Sequence, residues 1–470
     1  MTRFVFKTRD EWVPQAGANF LNSLFLKESK FSGIDKFQVK SLFSSLNKAM
    51  LDSLCDRAVA MDTDFEPVNF SSYHILECQE HKNKTELLNN LRNNEYVSWA
   101  YEENNDSIGP NIHPDKKPVA CFQGYLYNAP EGIGASHAWR KKGGRGDSSI
   151  NFVDIEQGWL FDHESLNLQR IPYSGINYEE ASDHGAGVMG IIMMRDGGSG
   201  GIGITPQVKG SVLSLYRPDG SFNTPDAIVS ALHFLDAGDI LLLESQALDP
   251  DNEFQFLPLE ILQANFDVIR MATALGITVI EPAGNGNINA SRGNSLDHYK
   301  NLNGENILDP WHRAFKDSGA IIVAAATSTV PHQRMHFSNY GRRVNCYAWG
   351  ENILTAGRHP QSSGAANNTY TRNFGGTSGA AAIIAGAAIS LQSMMEANHH
   401  CRLSPGQIRE ILSSISLGTE SAKGDADEGI GIMPDLEKIV NNFVDKFGGH
   451  AELIPRNGYL DNHLHPVMQA

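Results

Sequence analysis

The chain has 470 residues, of which 41% are hydrophobic and 20% charged. These are globular values, and the length suits a large enzyme core with smaller pieces attached. The 38 basic and 54 acidic side chains leave a formal charge of −16, a surface that repels phosphate backbones and argues against a nucleic-acid partner.

Cys55, Cys78, Cys121, Cys346 and Cys401 are scattered and odd in number. That argues against a disulfide framework or a zinc knuckle and for reduced thiols. The first residues, Met1 to Asp10, lack the apolar stretch of a secretory signal. No run approaches the ~20 apolar residues of a membrane span; Ala380 to Leu391 comes nearest. The expectation is a soluble, cytoplasmic protein without a membrane partner.

Residues 1–115 read as a small α+β module: a helix over Phe43–Ala58, a strand over Tyr73–Cys78, a helix from Lys84 to Leu91 and a strand from Glu95 to Tyr101. The polar segment from Asn104 to Lys117, with two prolines and one glycine, reads as a linker. Residues 116–447 form the larger unit. Its predicted strands are Ser149–Asp154, Val208–Leu215, Asp239–Leu243, Thr278–Pro282, Ala320–Ala325 and Val344–Tyr347. Its predicted helices are Gly185–Met194, Asp226–Ala237, Leu259–Leu275, Ser378–Glu396, Ser404–Ser414 and one near Asp435–Phe447. Strands alternating with helices predict an α/β fold, a doubly wound, mainly parallel sheet with helices on both faces. Residues 448–470 read as a polar tail.

Sites in such sheets lie beyond the carboxyl ends of the strands. Asp154 ends the strand Ile150–Asp154 and is aimed at that edge, although a lone acid there is more often a cap. His184 opens a glycine-rich helix, His184-Gly185-Ala186-Gly187-Val188-Met189-Gly190. Asn285 follows a strand between two glycines, where its amide has the chemistry to donate to an oxyanion or to make an ordinary Asn-Gly turn. Ser378, in Gly375-Gly376-Thr377-Ser378-Gly379-Ala380, stands at a helix start, as a cap or as a nucleophile. Each feature has an ordinary structural explanation, but the four together, in the order Asp, His, Asn, Ser, do not.

On these motifs the chain resembles the subtilisin/kexin superfamily of serine peptidases. Val153-Asp154-Ile155-Glu156, His184–Gly190, Ala283-Gly284-Asn285-Gly286 and Gly376-Thr377-Ser378-Gly379-Ala380 look like its aspartate, histidine, oxyanion and serine motifs. Phe337-Ser338-Asn339-Tyr340-Gly341 and Tyr347–Ile353 agree, and the resemblance spans roughly residues 123–440. It implies a serine endopeptidase working through an acyl-enzyme. In that reading Asp154 orients His184, His184 is the base for Ser378, and Asn285 with the Ser378 N–H binds the oxyanion. Glu244, Ser245, Gln246, Ala283 and Gly284 would bound the substrate site. Glu244 and Gln246 stand where the family has smaller residues, which implies a taste for polar or basic side chains before the cleaved bond.

There are departures. The family has glycine two residues after its aspartate, where this chain has Glu156. It has proline where this chain has Ala382. The N-terminal module resembles, in outline and position, an inhibitory propeptide; the alternative is a permanent regulatory or partner-binding domain. The resemblance implies structural calcium, for which Asp425, Asp427 and Glu428 are the acidic candidates, although no spaced ligand loop is readable there and a solvated loop is the simpler explanation. Partners implied are a protein or peptide substrate and a regulatory partner acting through the module. Two rival readings are a catalytically silent binding or scaffold protein on the same fold, and an α/β-hydrolase esterase suggested by Gly376-x-Ser378-x-Ala380. The second wants its acid and histidine after the serine.

Overall fold

The computed structural model describes residues 2–10, 21, 37–78, 84–103, 114–115, 123–170, 174–197, 200–250, 252–287, 289–357, 368–422 and 428–447. The tail at 448–470, Cys121 and most of the linker lie outside these residues. The four described cysteines are free and buried.

The N-terminal module is an antiparallel sheet of β1 (Thr2–Thr8), β2 (Phe37–Ser41), β3 (Tyr73–Cys78) and β4 (Val97–Glu103), in the order β2-β3-β1-β4. Two helices accompany it, α1 (Lys48–Met61) and α2 (Lys84–Arg92). The sequence reading anticipated β3 and α2 closely and missed β1, the strand that pairs with both β3 and β4. Alternate strand residues Phe4 and Phe6 are buried with Leu87 and Leu91 of α2, the period-2 and period-3.6 patterns meeting in one small core.

The larger unit is built on a sheet that has nine strands among the described residues. Its centre consists of β5 (Asn151–Glu156), β6 (Lys209–Ser214), β7 (Ile240–Leu243), β8 (Thr278–Pro282), β9 (Ile321–Ala326) and β10 (Cys346–Trp349). The spatial order is β10-β9-β8-β7-β5-β6, all pairs parallel. Every residue of β7 and β9 is buried, as strands covered on both faces require. The covering helices are α3 (Ser182–Met193), α4 (Thr224–Leu232), α5 (Gln263–Ala274), α6 (Gly376–His399) and α7 (Pro405–Leu412). α6 is long and apolar enough to cross a membrane by composition, but its apolar window is wholly buried in this molecule.

Two differences from the sequence reading bear on the site. β5 runs two residues past Asp154 and ends at Glu156. A hairpin that the sequence did not announce, β11 (Ile353–Ala356) and β12 (Tyr370–Phe374), feeds the chain into α6.

The module docks on α4 and α5 through a shared apolar core, in which Leu42, Phe43, Leu46 and Leu54 join the core of the larger unit, and through polar contacts. Asp226, in the first turn of α4, accepts the N–H groups of Ser44 and Ser45 at 2.8 and 3.0 Å and the Ser45 hydroxyl at 2.5 Å. Arg217 is 1% exposed and donates to Asp226 at 2.8 Å, to the Ser214 carbonyl at 2.9 Å and to Ser45 Oγ at 2.7 Å. Arg270 pairs with Asp62 at 2.6 Å, and the Tyr73 hydroxyl donates to Asp267. Removing one partner of a buried ion pair strands the other. Arg217→Ala is therefore expected to cost about 3–5 kcal/mol in urea unfolding, against near-neutral loss for exposed pairs such as Lys48–Asp52.

Candidate active site

The carboxyl end of the sheet gathers the predicted residues. β5 delivers Glu156, α3 carries His184 on its first turn, the segment after β8 carries Asn285, and α6 starts at Gly376 with Ser378 on its first turn. Their closeness rests on glycines. A Cβ at Gly185 would lie 2.3 Å from the Gly158 carbonyl oxygen and 2.6 Å from Trp159 Cδ1, so only glycine lets α3 approach the end of β5. Gly376 has φ +78°, and its N–H donates to the Gly350 carbonyl at 2.9 Å; the chain turns there into α6.

The acid on His184 is Glu156. Glu156 Oε2 pairs with His184 Nδ1, and both side chains are buried. This corrects the expectation for Asp154, whose Oδ2 accepts from Trp159 Nε1 at 2.7 Å while Oδ1 has no hydrogen bond. The reason is register. Asp154 and Glu156 share a face of β5, but Glu156 stands about 6.6 Å nearer the carboxyl edge. The sequence held the signal: Glu156-Gln157-Gly158 has the acid-x-glycine spacing that Asp154 lacks. His184 lies 6% exposed with its ring 5.5 Å from that of Phe374, the last residue of β12. Its Nε2 has no hydrogen bond, as is common before substrate tightens a site.

Asn285 is tethered at three points. Its Oδ1 accepts from the Thr377 N–H and the Thr377 hydroxyl, each at 3.0 Å, and its N–H donates to Gln246 Oε1 at 2.8 Å. With the amide oxygen occupied, the amide nitrogen is the end left to donate. Gln246 thus acts on the loop that carries Asn285. Ala283 and Gly284 lead into that loop; Gly284 has φ +92°, and Asn339 Nδ2 bonds the Ala283 carbonyl at 2.6 Å. Ser378 is 8% exposed, and Ser245 beside Gln246 is buried.

The resemblance puts Glu244 at the rim of the substrate site. It is not displayed there: it is 5% exposed, and neither carboxyl oxygen has a hydrogen bond of normal geometry. Its neighbours are Asp154, Glu156 and the Ser378 hydroxyl. Burial first, then the charges of Asp154 and Glu156, push its carboxyl well above the usual range, and the Ser378 hydroxyl works against that. Asp154 is raised likewise, by burial and then by Glu156, with the Trp159 bond opposing. Two carboxylates ~4 Å apart at an effective dielectric of 20 would repel by about 4 kcal/mol, so such a cluster keeps protons.

Of the calcium candidates, Asp425 and Asp427 lie outside the described residues, and Glu428 pairs with Arg334 at 3.0 Å. Among the described residues no group of three or more His, Cys, Asp or Glu side chains is arranged to hold a metal ion. Ala382 is buried within α6, which forms without the proline usual in the family.

The profile of the subtilase family of peptidases matches residues 161–431, more than half of the chain, and the chain belongs to that family. His184, Asn285 and Ser378 fall inside the match, and Glu156 precedes it. Solved structures similar in fold include the prenylagaramide maturation protease PagA, at 22% identity over 65% of this chain and 98% of that one, with a TM-score of 0.45. A lanthipeptide protease is similar at 20% identity over 68% and 95%, TM-score 0.46. Fervidolysin from Fervidobacterium pennivorans, a keratinolytic enzyme related to subtilisin, is similar at 16% identity over 84% and 60%, TM-score 0.49. No curated protein matches the sequence.

Proposed function

We propose that the chain is a serine endopeptidase in which Ser378 attacks the peptide carbonyl, His184 takes its proton, and Glu156 orients and stabilises the imidazole. The observation that carries this reading is the buried Glu156–His184 pair at the sheet edge where α6 presents Ser378. Glu156 fixes the proton on Nδ1, which leaves Nε2 as the base. His184 then passes the proton to the leaving amine, and water releases the acyl group by the reverse route. Asn285 Nδ2 and the Ser378 N–H, at the positive end of α6, bind the oxyanion.

The tethering of Asn285 by Thr377 and Gln246 supports a preorganised donor. Asn285→Ala is expected to lower kcat by about 10²–10³-fold with KM little changed, because the lost bond forms in the transition state. Hydrolysis of a denatured protein or a quenched peptide, blocked by a serine-directed reagent, tests the reading as a whole. Substrates are proteins or peptides. The N-terminal module serves as a regulatory element: its contacts with Asp226 and Arg217 grip α4, a helix that covers the sheet carrying the site.

A further inference from the structure

The reading of Ser378 as nucleophile and His184 as base leaves Glu244 without a role, and the inference here rests on that reading. Glu244 directly follows β7. Its N–H donates to the Ile155 carbonyl at 2.9 Å, one step past the Ile155–Leu243 pair, so it stands level with Glu156 on the neighbouring strand. Asp154 lies two residues lower on β5. α6 brings the Ser378 hydroxyl beside it, and Glu156, its level neighbour on β5, holds His184. On its other flank β8 brings Pro282 to its level, two steps beyond the Ile280–Leu242 pairing. Glu281 belongs to a separate buried cluster with Glu260 and Arg343. The charges that bear on Glu244 are those of Asp154 and Glu156, and the Ser378 hydroxyl beside it is the nucleophile's.

His184 Nε2 meanwhile has no hydrogen bond. A carboxylate at Glu244 competes with that nitrogen for the serine proton, and a neutral acid competes far less. We propose that Glu244 is a positioning residue for the nucleophile: as a neutral acid it leaves the Ser378 hydroxyl free to donate to His184 Nε2, and as a carboxylate it takes that hydroxyl for itself. Only a proton exchanged with solvent separates the two forms. Burial and the neighbouring Asp154 and Glu156 hold the neutral form to higher pH than usual for a glutamate. The active form is thus present at lower pH and is lost as pH rises through the Glu244 ionisation.

The test is the rate at which a fluorophosphonate labels Ser378 across about pH 5–10, in wild type and in Glu244→Gln. The glutamine amide mimics the neutral acid and does not ionise. Wild-type labelling is expected to fall toward the alkaline end of that range. Glu244→Gln is expected to lose that fall, labelling at least ~10-fold faster than wild type at the alkaline end. An alkaline plateau in wild type, or the same fall in a folded Glu244→Gln, overturns the proposal. If the variant does not fold, the wild-type profile decides. Absence of Ser378 labelling at every pH overturns the nucleophile assignment itself, whereas labelling with an alkaline plateau overturns the role of Glu244 alone.

Discussion

Replacing Ser378 with alanine should lower peptide hydrolysis by about 10⁴–10⁶-fold while leaving the fold intact. The side chain is small and 8% exposed, so its hydroxyl contributes little to packing. α6 is a 24-residue helix anchored by the Gly376 bond to Gly350 and the Thr377 bonds to Asn285, none of which uses the serine hydroxyl. A large fall in kcat with an unchanged melting curve is the expected pair of results. Residual turnover would come from binding and the oxyanion donors alone.

The second large effect separates two neighbouring acids. Glu156→Gln should lower kcat by about 10⁴-fold, because the amide no longer enforces the Nδ1–H tautomer or stabilises the imidazolium. Asp154→Asn should stay within about tenfold of wild type, because Asp154 accepts from Trp159 and does not touch His184. The opposite ranking, measured as kcat on one peptide substrate, would return the orienting role to Asp154.

Much of this architecture was legible in the sequence. Thr278–Pro282 is a strand with the bounds read from its apolar run, and the parallel sheet followed from runs too apolar to have a solvent face. The positions of His184, Asn285 and Ser378 were legible because each sits in a glycine-rich context that only a close approach explains. Glu156 was missed for a physical reason. The apolar pattern Ile150–Val153 suggested that the strand ended at the first acid, but a second buried acid can extend a strand when a histidine satisfies it, as His184 does here. The setting of Glu244 could not be read either. It depends on the β5–β7 register, which brings residues ~90 positions apart to one level, and no local spacing encodes that. The docking of Ser44 and Ser45 on Asp226 is of the same kind: polar residues that look like loop and cap until the two units meet.

A single activated serine is central to the proposed chemistry. Treating the wild-type protein with a fluorophosphonate and mapping the adduct by peptide mass spectrometry tests it most directly. One adduct is expected, on Ser378, its formation greatly slowed in Glu156→Gln and little changed in Asp154→Asn. An adduct on another residue, or none on a folded protein at any pH, would contradict it and leave a subtilase fold that binds without cutting.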